Sequence, residues 1–319
     1  MSTQFETLLN KVYEIHDLEK ALGVLSWDRE VNMPKGGIEA RGQQMTTLSK
    51  LIHTMSTSPE YGDQLSEAAT EMEDAAYDSF EASLIRYLKR DFENKTKLPT
   101  EFVARVSDVS TAAMVAWKQA REENDFPRFE PHLSKVIELV QEMADLYGYE
   151  DEKYDALLDK YETETKTADV RAIFDAVKTE SKILLDRIEA DGKAVDDHFL
   201  HLDYPVEKQK VFAHYMAESV GYDFERGHLG TATHPFATSF SNGDARITTR
   251  WYPNFINASV FGTLHESGHA MYELGTGDDL ARTPLARGTS MGIHESQSRM
   301  MENIVGRSFG FWQRHYGKL

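Results

Sequence analysis

The chain has 319 residues, with 35 Lys+Arg against 53 Asp+Glu and a formal net charge of −18, an excess that a nucleic-acid backbone repels. It contains no cysteine, which excludes a disulfide scaffold, a thiol nucleophile and a cysteine-bound metal. With 40% hydrophobic and 28% charged residues it has the balance of a globular protein.

The first residues lack the basic-then-apolar layout of a secretory signal. The uncharged stretch 251–264 is too short to span a bilayer, so a cytoplasmic location and no membrane partner are expected. Leu8, Leu9, Val12, Tyr13 and Ile15 recur at helical spacing. Residues 51–85 hold eight carboxylates and no Lys or Arg; such a run reads either as a solvated helix face or as an acidic groove for a basic partner. Pro99-Thr100-Glu101 marks a helix start, and Pro127 and Pro131 bracket another. Leu133, Val136, Ile137, Val140 and Met143 continue that second helix, which opens at Pro131 and closes at Gly148. After Gly227 the pattern changes. The segment from His234 to Trp251 is short, turn-rich and β-branched, with Asn242-Gly243 as a hairpin turn and 244–251 as a strand. The expected fold is mainly α with one small β-sheet just ahead of the richest motif, in a single domain, 1–319.

The chemistry concentrates in His265-Glu266-Ser267-Gly268-His269. Histidines at i and i+4 share one helix face about a turn apart, so both imidazoles reach one metal ion. Glu266 then stands beside the metal, placed to take a proton from a water. Val260, Phe261, Leu264, Met271 and Tyr272 supply the apolar contacts of this helix, and Gly275 ends it. The same five residues also occur by chance in helical proteins, with ordinary histidines. A hydrolytic zinc needs a third protein ligand and an open position. Without cysteine, the candidates lie in His294-Glu295-Ser296-Gln297-Ser298-Arg299, on a new helix opening around Ser290. Glu295 gives a two-histidine, one-glutamate site; His294 is its rival, because adjacent residues point about 100° apart on a helix. An ordinary salt bridge is the other reading of Glu295. With no phosphate loop and no serine elbow in competition, the expected reaction is metal-assisted hydrolysis of a peptide bond, with Glu266 as general base and then general acid.

Several motifs in order resemble the carboxypeptidase Taq family of metallocarboxypeptidases. They are His234-Pro235-Phe236, Asp244-x-Arg246-x-Thr248, the motif from Gly262 to His269, 294–299, Glu302-Asn303 and Gly306-Arg307-Ser308. Trp27-Asp28, Met33-Pro34-Lys35-Gly36-Gly37 and 154–159 are similar to family sequence as well. The resemblance implies a helical fold with a deep groove, a metal held by His265, His269 and Glu295, and Glu266 as catalytic base. It also implies release of C-terminal residues from peptides, one zinc ion per chain with cobalt as an alternative, and a homodimer. By resemblance His234, Arg246 and Thr248 belong to the groove wall near the substrate; an Asp244–Arg246 ion pair is the plainer reading. Internal cleavage of peptides, or an inactive zinc-binding fragment, are the alternative functions. Two departures stand out. Family sequence has Arg and Asp where this chain has His228 and Gly230. Family members also continue beyond the position of Leu319, so the chain is expected to lack a C-terminal part that helps close the groove.

Overall fold

The computed structural model describes residues 3–319. Six long helices come first: α1 (Gln4–Val31), α2 (Ile38–Ser56), α3 (Pro59–Glu71), α4 (Phe80–Thr96), α5 (Thr100–Glu123) and α6 (Phe126–Tyr147). α1 opens with a capping box, in which Thr3 Oγ1 accepts the Glu6 N–H and the Glu6 carboxylate accepts the Thr3 N–H; two otherwise orphaned donors are satisfied together. The stripe Leu8, Val12 and Ile15 is buried against Ile52 of α2, Leu65 and Ala68 of α3, and Leu84 and Leu88 of α4. The acidic run lies on the outer side of this bundle. Seven of its carboxylates, from Glu60 to Asp78, are exposed and Glu81 is half-buried, which is the solvated face.

α5 begins just after Pro99, as expected. α6 corrects the sequence reading at its start: it opens at Phe126, capped by Asp125, with Pro127 in the first turn and Pro131 inside the helix. Asp125 Oδ1 accepts the Arg128 N–H, and a capped first turn tolerates Pro127, whose missing donor is an orphan there anyway. Gly148, at φ 79°, ends the helix. The short α7 (Asp155–Leu158) and the long α8 (Thr167–Asp191) follow. No residue of α8 is buried, and Ile173, Phe174, Leu184, Leu185 and Ile188 are more than half exposed.

After α9 (Val206–Ser219) come β1 (Leu229–Thr231), β2 (Ala237–Ser241) and β3 (Asp244–Thr249). β3 lies in the middle, parallel to β1 and antiparallel to β2. The Asn242-Gly243 turn joins β2 to β3 as expected; β3 stops at Thr249, short of Trp251, and β1 is a strand the sequence did not announce. β1 sits tight against α1, since a Cβ on Gly230 would come within 3.0 Å of Val31 Cγ1. Gly230 thus lets sheet and helix close together. His228 meets the buried Trp27 edge-on, with ring centroids 5.6 Å apart.

α10 (Ile256–Leu274) is buried on several sides. Ala270 and Leu274 pack with Ala245 and Ile247 of β3, while Val260 and Leu264 pack with Phe212 and Met216 of α9. α11 (Met291–Arg299) lies against it, runs straight into a π-helical turn (Met300–Val305), and is followed by α12 (Phe309–His315). The mainly helical fold with one small sheet beside the motif helix is therefore as expected. No helix among the described residues is long and apolar enough to cross a membrane.

Candidate metal centre

α10 needs most of its surface for packing, and its polar stripe is short. His265 and His269 share one face and are half-buried, while Glu266, next in sequence, is only 6% exposed. The space for α11 comes from Gly268: a Cβ there would lie 2.5 Å from the Gln297 carbonyl oxygen and 2.6 Å from Ser298 Cα. This close approach carries Glu295 to the histidines. Its Oε2 lies 3.4 Å from His269 Nε2 and 3.7 Å from His265 Nε2, and ligand atoms of the three residues all lie within 4.8 Å of one another. Tetrahedral ligands with arms of about 2.1 Å stand about 3.4 Å apart, so the three donors fit a zinc-sized ion. The other Glu295 oxygen is taken by Arg299 Nε at 2.7 Å, which fixes the carboxylate. His294 stands outside this cluster: its Nδ1 faces His269 Nδ1 at 2.7 Å.

Each histidine is backed on its second nitrogen. His265 Nδ1 donates to Glu302 Oε2 at 2.9 Å, and Arg299 and Arg307 hold that carboxylate. A carboxylate behind a ligating histidine fixes its tautomer and strengthens it as a donor. The electrostatics agree with the donor chemistry. Burial, then the neighbouring His294 and His265, pull His269 down to about 4, so it stays neutral and keeps a lone pair free. Burial works against ionisation of Glu295, but Arg299 and His265 outweigh it and hold Glu295 below the usual glutamate range. Glu266 goes the other way. Burial first, then the charges of Glu295 and Glu302, push it up to about 8, and the Ala237 backbone N–H partly offsets this.

That N–H comes from the start of β2, straight after His234-Pro235-Phe236. Phe236 is clamped by Thr248, whose hydroxyl accepts the Phe236 N–H at 2.9 Å and donates to the Phe236 carbonyl at 3.1 Å. Thr248 is fully buried, and both of these hydroxyl contacts go to the loop that precedes β2. Arg246 forms the plainer ion pair with Asp244, at 2.7 Å, and its guanidinium lies over the rings of Trp27 and Phe240. Strand alternation puts it on the face opposite Ala245 and Ile247, which pack on α10. His234 is exposed. The structure thus brings together His265, Glu266, His269 and Glu295, and places Arg246 and Thr248 in supporting contacts.

Sequence reasoning missed the contact of Glu302 with His265 and that of the Ala237 amide with Glu266. Glu302 lies seven residues past Glu295, about two helical turns on, so it was open to discovery as a same-face position. A backbone N–H carries no residue signature.

Two imidazoles and a glutamate thus lie close enough to hold one metal ion, with a second glutamate buried beside them. The model of the carboxypeptidase Taq (M32) metallopeptidase family matches residues 7–319, and the chain belongs to that family. It is 39% identical over 311 residues to thermostable carboxypeptidase 1 of Thermus thermophilus, covering 93% of this chain and 60% of that protein. The enzyme of the same name from Pyrococcus furiosus is 39% identical over 317 residues, covering 97% of this chain and 62% of that one. A crystal structure described as BsuCP superposes with a TM-score of 0.95 at 32% identity, covering 99% of this chain and 63% of the other. The chain therefore spans about three-fifths of the length of the curated relatives it matches.

Proposed function

We propose that the chain carries the catalytic centre of a zinc-dependent carboxypeptidase, releasing C-terminal residues from peptides. The observation that carries this reading is Glu266, buried beside the three-donor cage and touched by the first residue of β2. His265, His269 and Glu295 hold the metal, one per chain, zinc or in its place cobalt. A metal held there polarises the scissile carbonyl and acidifies water. Glu266 takes the proton of the attacking water and hands it to the departing amine. Its shielding from solvent keeps that proton from being lost between the two transfers. Arg299 orients Glu295, and Glu302 holds His265 in the tautomer that presents Nε2. Thr248 and Arg246 act at a distance by fixing the loop and sheet that bring the Ala237 N–H to Glu266. His234, exposed at the head of that loop, is the residue of the three assigned to substrate contact. The relatives' carboxypeptidase names support the exopeptidase reading, and the family resemblance supports a homodimer.

The test compares one peptide with a free and with an amidated C-terminus, using zinc-loaded protein and mass spectrometry of the products. Stepwise loss of terminal residues from the free peptide alone is expected. Internal fragments from both peptides would instead establish an endopeptidase.

A further inference from the structure

His294 does more than lose the competition for the metal. Its ring stands between two groups of α10, His269 at 2.7 Å on Nδ1 and Glu273 Oε1 at 2.7 Å on Nε2. The proton directions along this chain are fixed by its ends. If His269 turns Nε2 to the cage, its proton is on Nδ1, where His294 Nδ1 accepts it alongside the His294 backbone carbonyl. His294 then carries its own proton on Nε2 and donates to Glu273, which as a carboxylate only accepts. Each link has one allowed direction.

We infer that His294 and Glu273 are positioning residues for the ligand His269, a relay that fixes its tautomer and ring plane and feeds it the charge of a carboxylate. The inference rests on the reading of His265, His269 and Glu295 as the metal cage. The relay is built rather than incidental. Glu273 lies one turn past His269 on the same helix, and its side chain is only 14% exposed. Its Oε1 also accepts the Gly288 N–H at 3.1 Å. The His294 ring packs edge-on against Tyr272, 5.2 Å between centroids. Gly288 leaves room for both rings, since a Cβ there would come within 2.7 Å of each. The two branches also differ in charge. Glu302, behind His265, is paired with two arginines. Glu273 has no Lys or Arg within ion-pair distance among the described residues, only His294. Lys20 feels its charge from beyond that distance, and His294 is the side chain in direct contact with it.

The experiment measures Zn²⁺ affinity by competition with a chromophoric chelator for the wild type, His294→Ala, Glu273→Gln and the double variant, with His269→Ala as control. Loss of a supporting partner of a ligating histidine weakens binding about 10- to 100-fold, and that is expected for His294→Ala. Glu273→Gln keeps an acceptor oxygen but loses the charge, so a smaller loss is expected. The double variant should bind no more weakly than His294→Ala alone, because Glu273 acts only through His294. Long-range ¹H–¹⁵N spectra of the zinc-loaded protein should show His269 protonated on Nδ1, with that proton lost to exchange in His294→Ala; a merely structural role leaves it in place. Wild-type affinity in both single variants, or losses that add in the double, overturn the relay. Undiminished binding by His269→Ala is a separate result, and it overturns the metal cage itself.

Discussion

Replacing Gly268 with alanine sets two effects against each other at the point where the site is assembled. Alanine is the better helix former, by about 1 kcal/mol, so an isolated α10 gains from the change. In the fold, the new Cβ meets backbone: the Gln297 oxygen at 2.5 Å and Ser298 Cα at 2.6 Å. Ordinary contact begins near 3.4 Å, so the two helices must part by roughly 0.9 Å, and neither backbone can rotate aside as a side chain does. Overpacking of this kind costs about 1–3 kcal/mol, which outweighs the propensity gain. The same parting widens the gaps of 3.4 and 3.7 Å between Glu295 and the two histidines, because Gly268 adjoins His269 and Gln297 follows Glu295 by two residues. The expected result is a melting temperature lowered by a few degrees and zinc affinity lowered by at least about tenfold. The control is Gly262→Ala on the same helix, where a Cβ meets the Thr249 hydroxyl oxygen at 3.2 Å and Pro235 Cγ at 4.0 Å, both side-chain atoms; it should bind zinc as the wild type does. Thermal denaturation of the metal-free proteins and chelator competition supply both numbers. A Gly268→Ala protein that melts no lower than the wild type and binds zinc equally well would show that the helices slide apart freely, and the reasoning would fail.

Glu295→Ala should weaken zinc binding by more than about a hundredfold, beyond the effect of any supporting residue; a smaller loss than that of His294→Ala, measured in the same competition assay, would put the third ligand elsewhere. Glu266→Gln should keep the metal, seen by elemental analysis, and lose turnover by at least about a hundredfold. The same variant has a second signature without metal. The wild-type carboxyl is pushed from its ordinary 4.5 up to about 8 in the fold, so the folded state holds a proton the unfolded chain releases. Metal-free wild type therefore has its full stability below about pH 4.5 and loses it as pH rises to about 8, by a few kcal/mol at most. The Gln variant escapes this loss, and its advantage in urea unfolding should grow from pH 5 to pH 8; an advantage independent of pH would mean that Glu266 is ionised throughout.

What could be read from the chain was whatever local spacing records. The i, i+4 histidines, the Asn242-Gly243 turn and the apolar stripe of α1 follow from periods of 3.6 and 2, and the structure keeps all three. Pro131 misled because a proline marks a helix start only by tendency; Asp125 and Pro127 had already supplied one. β1 escaped notice because three residues, Leu229–Thr231, have no pattern of their own and become a strand only by pairing with β3. The contacts of Thr248 escaped notice for a related reason. Strand alternation gave its face, but not that a hydroxyl there has two backbone partners on Phe236. The third ligand was narrowed to adjacent residues, and only the contact of Gly268 with 297–298 decides which of the two faces the cage.

The π-helical turn at Met300–Val305 fits one more residue into its turn than an α-helix does. Gly306, whose N–H reaches the Met301 carbonyl five residues back, is therefore set about 100° behind its place in an uninterrupted α-helix. Arg307 reaches Glu302 and covers the Phe261 ring, Trp312 Nε1 donates to the Gly306 carbonyl, and His315 meets the Tyr215 hydroxyl, all from positions downstream of that turn. The bracing behind His265 is therefore written in the number of residues between Arg299 and Gly306 as much as in their identities. Along this segment a gap of a single residue is a graver change than an exchange of side chains.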